Sequence, residues 1–233
     1  MRADLQVVHG DETFADEAAG AMENVLRRAV EARGVCRVAV SGGATPGPVY
    51  ERLAATAFGR TLDPGTLDVY LADERLVPEG DPNRNARLVD RTLLGAGRWT
   101  PAALHRAAAD DRDPEQAARD YDAEWPARPD LVVLGMGVDG HIASLFPGSP
   151  LLEEWNRRVA AVRGGSPDVW RITLTPRAIA DARSVLVLVR GKEKALTLAR
   201  VFRGPFDPAR TPAHLAHEAL WIADAEAARL VTA

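Results

Sequence analysis

A single cysteine, Cys36, stands in 233 residues. Neither a disulfide framework nor a thiolate metal site can be built from it. It sits in the strand-like run VCRVAV and reads as a small buried hydrophobe. Long apolar runs are missing too: none nears the ~20 residues of a membrane span. The opening MRADLQVVHGDETF lacks the apolar core of a secretory signal, so a cytoplasmic home is expected. Positive charge is not in excess. The net charge is −4 and the isoelectric point about 5.8, which leaves no basic field for a phosphodiester backbone. Nucleic acid and membrane are therefore not expected partners. There is no internal repeat, and the glycine- and proline-bearing loops at 59–66, 95–102 and 203–213 are short. A single α/β domain over residues 1–233 is expected, ample for one core.

What is present is an alternation of strand-like and helix-like runs. Gln6–His9 reads as a strand. Phe14, Ala18, Met22, Val25, Leu26, Ala29 and Val30 then recur at helical spacing until Gly34. Strands are expected at Val35–Val40, Leu67–Ala72, Leu131–Leu134, Arg158–Arg163, Trp170–Leu174, Val185–Val189 and Ala219–Ala223. Helices are expected from Pro46 to about Phe58, over Asn83–Leu94, from Asp113-Pro114 to about Trp125, over Pro176–Asp181 and Lys192–Phe202, and in the alanine-rich C-terminal residues. VAV, LVVL and VLVLV are apolar on successive residues, the mark of a parallel sheet covered on both faces. The expected fold is α/β: a Rossmann-like, mostly parallel sheet flanked by helices, with room for a small extra β element. Ligands in such folds lie beyond the carboxyl ends of the strands.

Four strand ends carry candidate chemistry. In VAVSGGATPGPVYERL, Ser41, Gly42 and Gly43 lead into a helix near Pro46. Glycines let N–H groups approach a ligand, and the helix N-terminus favours an anion. Ser41 and Thr45 add hydroxyls. In VYLADERLVP, Asp73 and Arg75 stand at the mouth of the expected cleft, a carboxylate to orient hydroxyls or a proton carrier and a guanidinium to clamp phosphate. Glu74 reads as solvated rim. In LGMGVDGHIASLFPGS, Gly135, Gly137 and Gly140 surround Asp139 and His141. An imidazole there can take a proton from water near neutral pH, and nearby N–H groups, those of Gly137 and Gly140 included, can serve an oxyanion. In the C-terminal half, Arg163, Arg171, Lys192 and Lys194 recur near strand ends and point to a dianionic substrate.

Three motifs are set aside. His214 and His217 in AHLAHEAL match neither zinc-helix order. LGMGVDG is not a dinucleotide loop, and Ser144 lacks the GxSxG context of a hydrolase nucleophile. The residues by themselves describe an α/β enzyme for a small phosphorylated molecule, using acid–base chemistry without metal or nucleotide.

SGGATP, LADERLVP, LGMGVDGHIASLFPGS, RITLTP and GKEKA, in this order and spacing, resemble the 6-phosphogluconolactonases, relatives of the glucosamine-6-phosphate deaminases. The resemblance runs from about Val7 to Trp221. It implies a Rossmann-like sheet, a cytoplasmic enzyme without cofactor, a sugar-phosphate lactone as substrate, and hydrolysis of 6-phospho-D-glucono-1,5-lactone in the oxidative pentose phosphate pathway. It implies His141 as catalytic base, with Asp139 or Asp73 assisting, and Ser41, Gly42, Gly43, Arg75, Arg171, Lys194 and additionally Lys192 around the substrate phosphate. The sequence departs from the family at Ala44, where serine or threonine is common, at Leu71-Ala72, and at Arg84, where serine is common. Arg84 is either an added phosphate contact or a surface charge. The alternatives are an amino-sugar-phosphate deaminase, against which SLFPG after DGHIA and DER in place of DEY argue, and a non-catalytic sugar-phosphate regulator. A monomer is expected, since no long exposed apolar helix calls for a partner.

Overall fold

The computed structural model describes residues 4–107 and 113–232. In chain order the elements are β1 (Asp4–Val8), α1 (Asp11–Arg33), β2 (Cys36–Val40), α2 (Pro46–Thr56), β3 (Leu67–Leu71), β4 (Asp73–Arg75), α3 (Asn85–Arg91), β5 (Ala103–His105), α4 (Pro114–Glu124), β6 (Leu131–Gly135), β7 (Val159–Gly164), β8 (Val169–Leu174), α5 (Pro176–Asp181), β9 (Val185–Val189), α6 (Ala195–Arg203), β10 (Leu220–Asp224) and α7 (Ala225–Ala228).

Seven strands form one all-parallel sheet in the order β1-β10-β9-β6-β2-β3-β5. Successive strand residues face opposite ways, and the burial follows that rule. Val38, Val40, Val69, Leu71, Leu131, Val133, Leu186, Leu188 and Ile222 face one core with Phe14, Met22 and Leu26 of α1 and Tyr50 and Leu53 of α2. Ala39, Tyr70, Val132, Leu134, Val187, Val189, Trp221 and Ala223 face the other, with Tyr121 of α4, Ile179 of α5 and Leu198 of α6. That is why these runs are apolar at every position. Local signals end the helices as read: Gly34, at φ 75°, terminates α1 with its N–H on the Val30 carbonyl, and the Asp113 carboxylate caps α4 through the Gln116 N–H.

The order reverses between β2 and β6. The chain steps outward from β2 to β3 and β5 on one side, and through β6, β9 and β10 on the other. A crevice opens beyond the carboxyl ends of strands at such a switch point. The loops after β2 and β6 are the ones it exposes.

A second sheet, β4-β8-β7, is antiparallel. It makes a short strand of DER, which the sequence shows only as charges after a strand, and Asp73 and Arg75 line the cleft as expected. After Leu71 the chain turns at Ala72, and Asp73–Arg75 pairs with β8, Asp73 opposite Thr173 and Arg75 opposite Arg171. The edge strand β5 was not expected from AALH, which is too short to show a period. Helix α3 is shorter than Asn83–Leu94, and Lys192–Lys194 forms a 3₁₀ turn before α6.

Candidate active site

Beyond β2 and β6 lies an open cleft of about 1310 Å³, lined by residues 41–46, by 135–139 with His141, and by Asp73, Arg75, Asn85, Phe146, Arg171 and Lys194 among others. Its ionisable lining holds the cations Arg75, Arg163, Arg171, Arg190 and Lys194 against Asp73, Asp139 and Glu193. A protein of net charge −4 thus keeps a locally positive cleft, suited to an anion.

The β6 end supplies an imidazole paired with a carboxylate. His141 Nδ1 lies 2.6 Å from Asp139 Oδ1, which also accepts the His141 backbone N–H at 3.1 Å. The hydrogen bond from His141 holds the Asp139 carboxyl below its ordinary value, against a smaller opposing effect of burial. A carboxylate only accepts, so the Asp139 bond puts a proton on Nδ1, and in the neutral imidazole the lone pair is then on Nε2. Gly137 makes the pair possible: a Cβ there would meet His141 Nδ1 at 2.1 Å and Asp139 Oδ1 at 2.5 Å. The turn is pinned by its carbonyls. Met136 O accepts Lys194 Nζ at 2.8 Å, Val138 O accepts the Thr197 hydroxyl at 2.5 Å, and Gly140 O accepts the Ala213 N–H at 2.8 Å.

Two expectations at this turn are corrected. The Gly137 N–H donates to His141 O and the Gly140 N–H to Gly137 O, so neither is free to meet an oxyanion. Asp73 is not the partner of the imidazole. One of its oxygens accepts Asn85 Nδ2 at 2.9 Å and the other the Ser144 hydroxyl at 2.7 Å. Ser144 is itself fully buried, and its N–H is held by Thr173.

The β2 end supplies the loop. Ser41, Gly42, Gly43 and Thr45 all line the cleft, and Gly43 has φ 109°. The Ser41 hydroxyl is buried without a hydrogen-bond partner among the described residues, and Thr45 does not use its hydroxyl to cap α2. Gly42 is held to glycine because the Asn85 amide lies against it, 1.8 Å from where a Cβ would be.

The cations differ in their fastening. Arg171, 4% exposed, sends Nε to Gly164 O at 2.8 Å and Nη2 to Pro167 O, with its guanidinium 5.6 Å from the Phe146 ring centre. Burial lowers its proton affinity, with Arg75 a further cause. Lys194 is likewise held below the usual lysine value by burial. Arg163 lines the cleft and lies 3.5 Å from Asp168. Lys192 is exposed and does not line it, which corrects its nomination.

Glu74 and Arg84 overturn their reading most plainly. Glu74 is 0% exposed, not a solvated rim. Its carboxylate accepts the N–H groups of Arg75, Asn85 and Ala86 at 2.7 to 2.9 Å, so it caps the N-terminus of α3. Burial nevertheless pushes its carboxyl up, the hydrogen bonds opposing. Arg84 is buried beside it, 3.5 Å from the carboxylate, with Nη2 on Ala107 O. It is neither phosphate contact nor surface charge; the cation compensates the buried glutamate. Sequence reasoning also passed over Asn85, Phe146, Arg190 and Glu193. Asn85 directly follows Arg84 in DPNRN, and nothing short of the fold separates the roles of the two.

The profile of the glucosamine-6-phosphate isomerases/6-phosphogluconolactonase family matches residues 10–222. The chain is 34% identical over 244 residues to the 6-phosphogluconolactonase of Streptomyces coelicolor, covering 95% of this chain and 92% of that protein. It superposes on the 6-phosphogluconolactonase of Trypanosoma cruzi with a TM-score of 0.85 at 26% identity, covering 100% of this chain and 98% of that one. A monomeric glucosamine-6-phosphate deaminase shares the fold, with a TM-score of 0.85 at 19% identity over 97% of this chain and 99% of that one.

Proposed function

The chain belongs to the family of glucosamine-6-phosphate isomerases and 6-phosphogluconolactonases, and on that premise we propose that it hydrolyses 6-phospho-D-glucono-1,5-lactone to 6-phospho-D-gluconate, the second step of the oxidative pentose phosphate pathway. The observation that carries this reading is the Asp139–His141 pair, 2.6 Å apart in a cleft rich in cations. The curated relatives bearing the lactonase name supply the substrate class.

The phosphate dianion sits among Arg171, Lys194 and the loop Ser41–Thr45, at the N-terminus of α2. His141 Nε2 takes a proton from water as its oxygen attacks the lactone carbonyl. Asp139 holds the ring in the required tautomer and steadies the imidazolium that forms. Charge developing on the carbonyl oxygen falls within the positive field of the cleft. The tetrahedral intermediate collapses, the bond to the ring oxygen breaks, and the imidazolium returns its proton to that oxygen. The carboxylic acid then ionises. General-base catalysis of this kind supplies about 10² to 10⁴-fold, and a lactone is already prone to hydrolysis. No step calls for a metal or a cofactor, and we read the enzyme as cytoplasmic and monomeric.

The test generates the lactone in situ from glucose 6-phosphate and a dehydrogenase and follows its loss. Acceleration well above the spontaneous rate, surviving EDTA, is expected. No acceleration, with ammonia released from glucosamine 6-phosphate instead, would move the chain to the deaminase branch. Binding of sugar phosphates without turnover would make it a regulator.

A further inference from the structure

We propose that Asn85 is a positioning residue that keeps Asp73 and Arg75 from pairing with each other, so that both stay available to the substrate. This rests on the lactonase reading for what the two groups meet, though not for their geometry.

Asp73 and Arg75 are two apart on β4, and side chains two apart on a strand share a face. A guanidinium on its long stem can swing onto a carboxylate that close. Both side chains line the cleft, and such an ion pair would neutralise two recognition groups at once. Among the described residues they form no ion pair with each other. The Asn85 amide lies between them: its oxygen accepts Arg75 Nη1 at 2.6 Å, while its nitrogen donates to Asp73 Oδ1 at 2.9 Å and to Asp73 O at 2.8 Å. A guanidinium only donates and a carboxylate only accepts, so a neutral amide satisfies each with one of its ends. A carboxylate at this position would serve Arg75 and repel Asp73; an alcohol is too short to reach both.

Asn85 is itself over-determined. It is 2% exposed, its N–H is held by Glu74 at 2.8 Å as the first residue of α3, and its amide rests on Gly42. Ser144 holds the second Asp73 oxygen, and Asn83 O takes a further bond from Arg75 Nη1 at 2.7 Å. One buried side chain thus joins the β2 loop, β4 and α3 at the site. Among the described residues its hydrogen bonds run to Glu74, Asp73 and Arg75 and none to His141 or Asp139, so it acts through its neighbours.

Two measurements test this. The first is the crystal structure of unliganded Asn85→Ala, with Asn85→Asp as the nearly isosteric second variant should the first fold poorly. The expected result for Asn85→Ala is Arg75 within ion-pair distance of the Asp73 carboxylate; for Asn85→Asp it is Arg75 on the new carboxylate and Asp73 turned away. Unmoved side chains would overturn the proposal whatever the enzyme's substrate. The second is a double-mutant cycle in lactone hydrolysis with Asn85→Ala, Arg75→Ala and the pair. Asn85→Ala alone should raise KM about tenfold with a smaller change in kcat, and should cost less than about twofold in kcat/KM once Arg75 is gone. Full additivity, or equal losses in kcat and KM tracking a lowered Tm, would mean a structural role only. Failure of wild type to hydrolyse the lactone would count against the proposed function and leave the crystallographic result standing.

Discussion

Replacing Gly137 by alanine should separate catalysis from folding. The added methyl would stand 2.1 Å from His141 Nδ1, 2.3 Å from Cε1 and 2.5 Å from Asp139 Oδ1. Ordinary contact begins near ~3.5 Å, so the imidazole must retreat by over 1 Å from where its 2.6 Å bond to Asp139 places it. Such a displacement of a proton carrier costs on the order of 10²-fold. The atoms displaced are ends of half-exposed side chains, not backbone, and alanine stiffens the unfolded chain by about 0.4 to 1 kcal/mol. Tm should therefore stay within a few degrees of wild type while kcat falls by about 10²-fold and KM changes little. Gly135→Ala is the control, because a Cβ at Gly135 meets nothing within 4 Å. It should keep kcat within about twofold of wild type. Steady-state kinetics and thermal denaturation of both variants decide. Wild-type kcat in Gly137→Ala would refute the claim that the His141–Asp139 geometry sets the rate.

Glu74→Gln should cost about 3 to 5 kcal/mol in urea denaturation, because it leaves Arg84 buried without its counter-charge; a loss within about 0.5 kcal/mol would restore the surface reading. Leu26→Ala, on the buried face of α1, should cost about 2 to 5 kcal/mol and leave kcat at permissive temperature unchanged. Lys194→Met should chiefly raise KM. Burial lowers the Lys194 proton affinity, so the lysine's charge, present at low pH, is lost sooner on raising pH than that of an exposed lysine. The wild-type KM should climb on the alkaline side accordingly, and the climb should vanish in Lys194→Met; a pH-independent KM in wild type would count against a phosphate role. Asp139→Asn should lower kcat by on the order of 10²-fold or more, since the amide no longer fixes the Nδ1–H tautomer.

Much of this was legible before any coordinates. Apolar runs such as LVVL and VLVLV announced a parallel sheet because both faces of it are covered. SGGATP and GMGVDGH announced the two loops at the switch point, because glycine clusters after a strand have few other uses. Of the charges after β3, Asp73 and Arg75 were legible as cleft residues and both line it. Glu74 was not: alternation on a short antiparallel strand buries it under the N-terminus of α3. That pairing with β8 is nearly a hundred residues distant in sequence and leaves no local period. Arg84 was named and Asn85 passed over for the same reason: they are adjacent polar residues at a helix start, of which one serves Glu74 and the other serves the cleft. The role of backbone N–H groups was misread at Gly137 and Gly140, since only the turn's own hydrogen bonds reveal which donors are already spent.

In the proposed reaction His141 is the base of a lactone hydrolysis. This role is tested most directly by kcat of His141→Asn against wild type on enzymatically generated 6-phosphogluconolactone, with circular dichroism confirming the fold. The variant should lose about 10²-fold or more in kcat at unchanged Tm. A folded variant that keeps wild-type kcat would contradict that role.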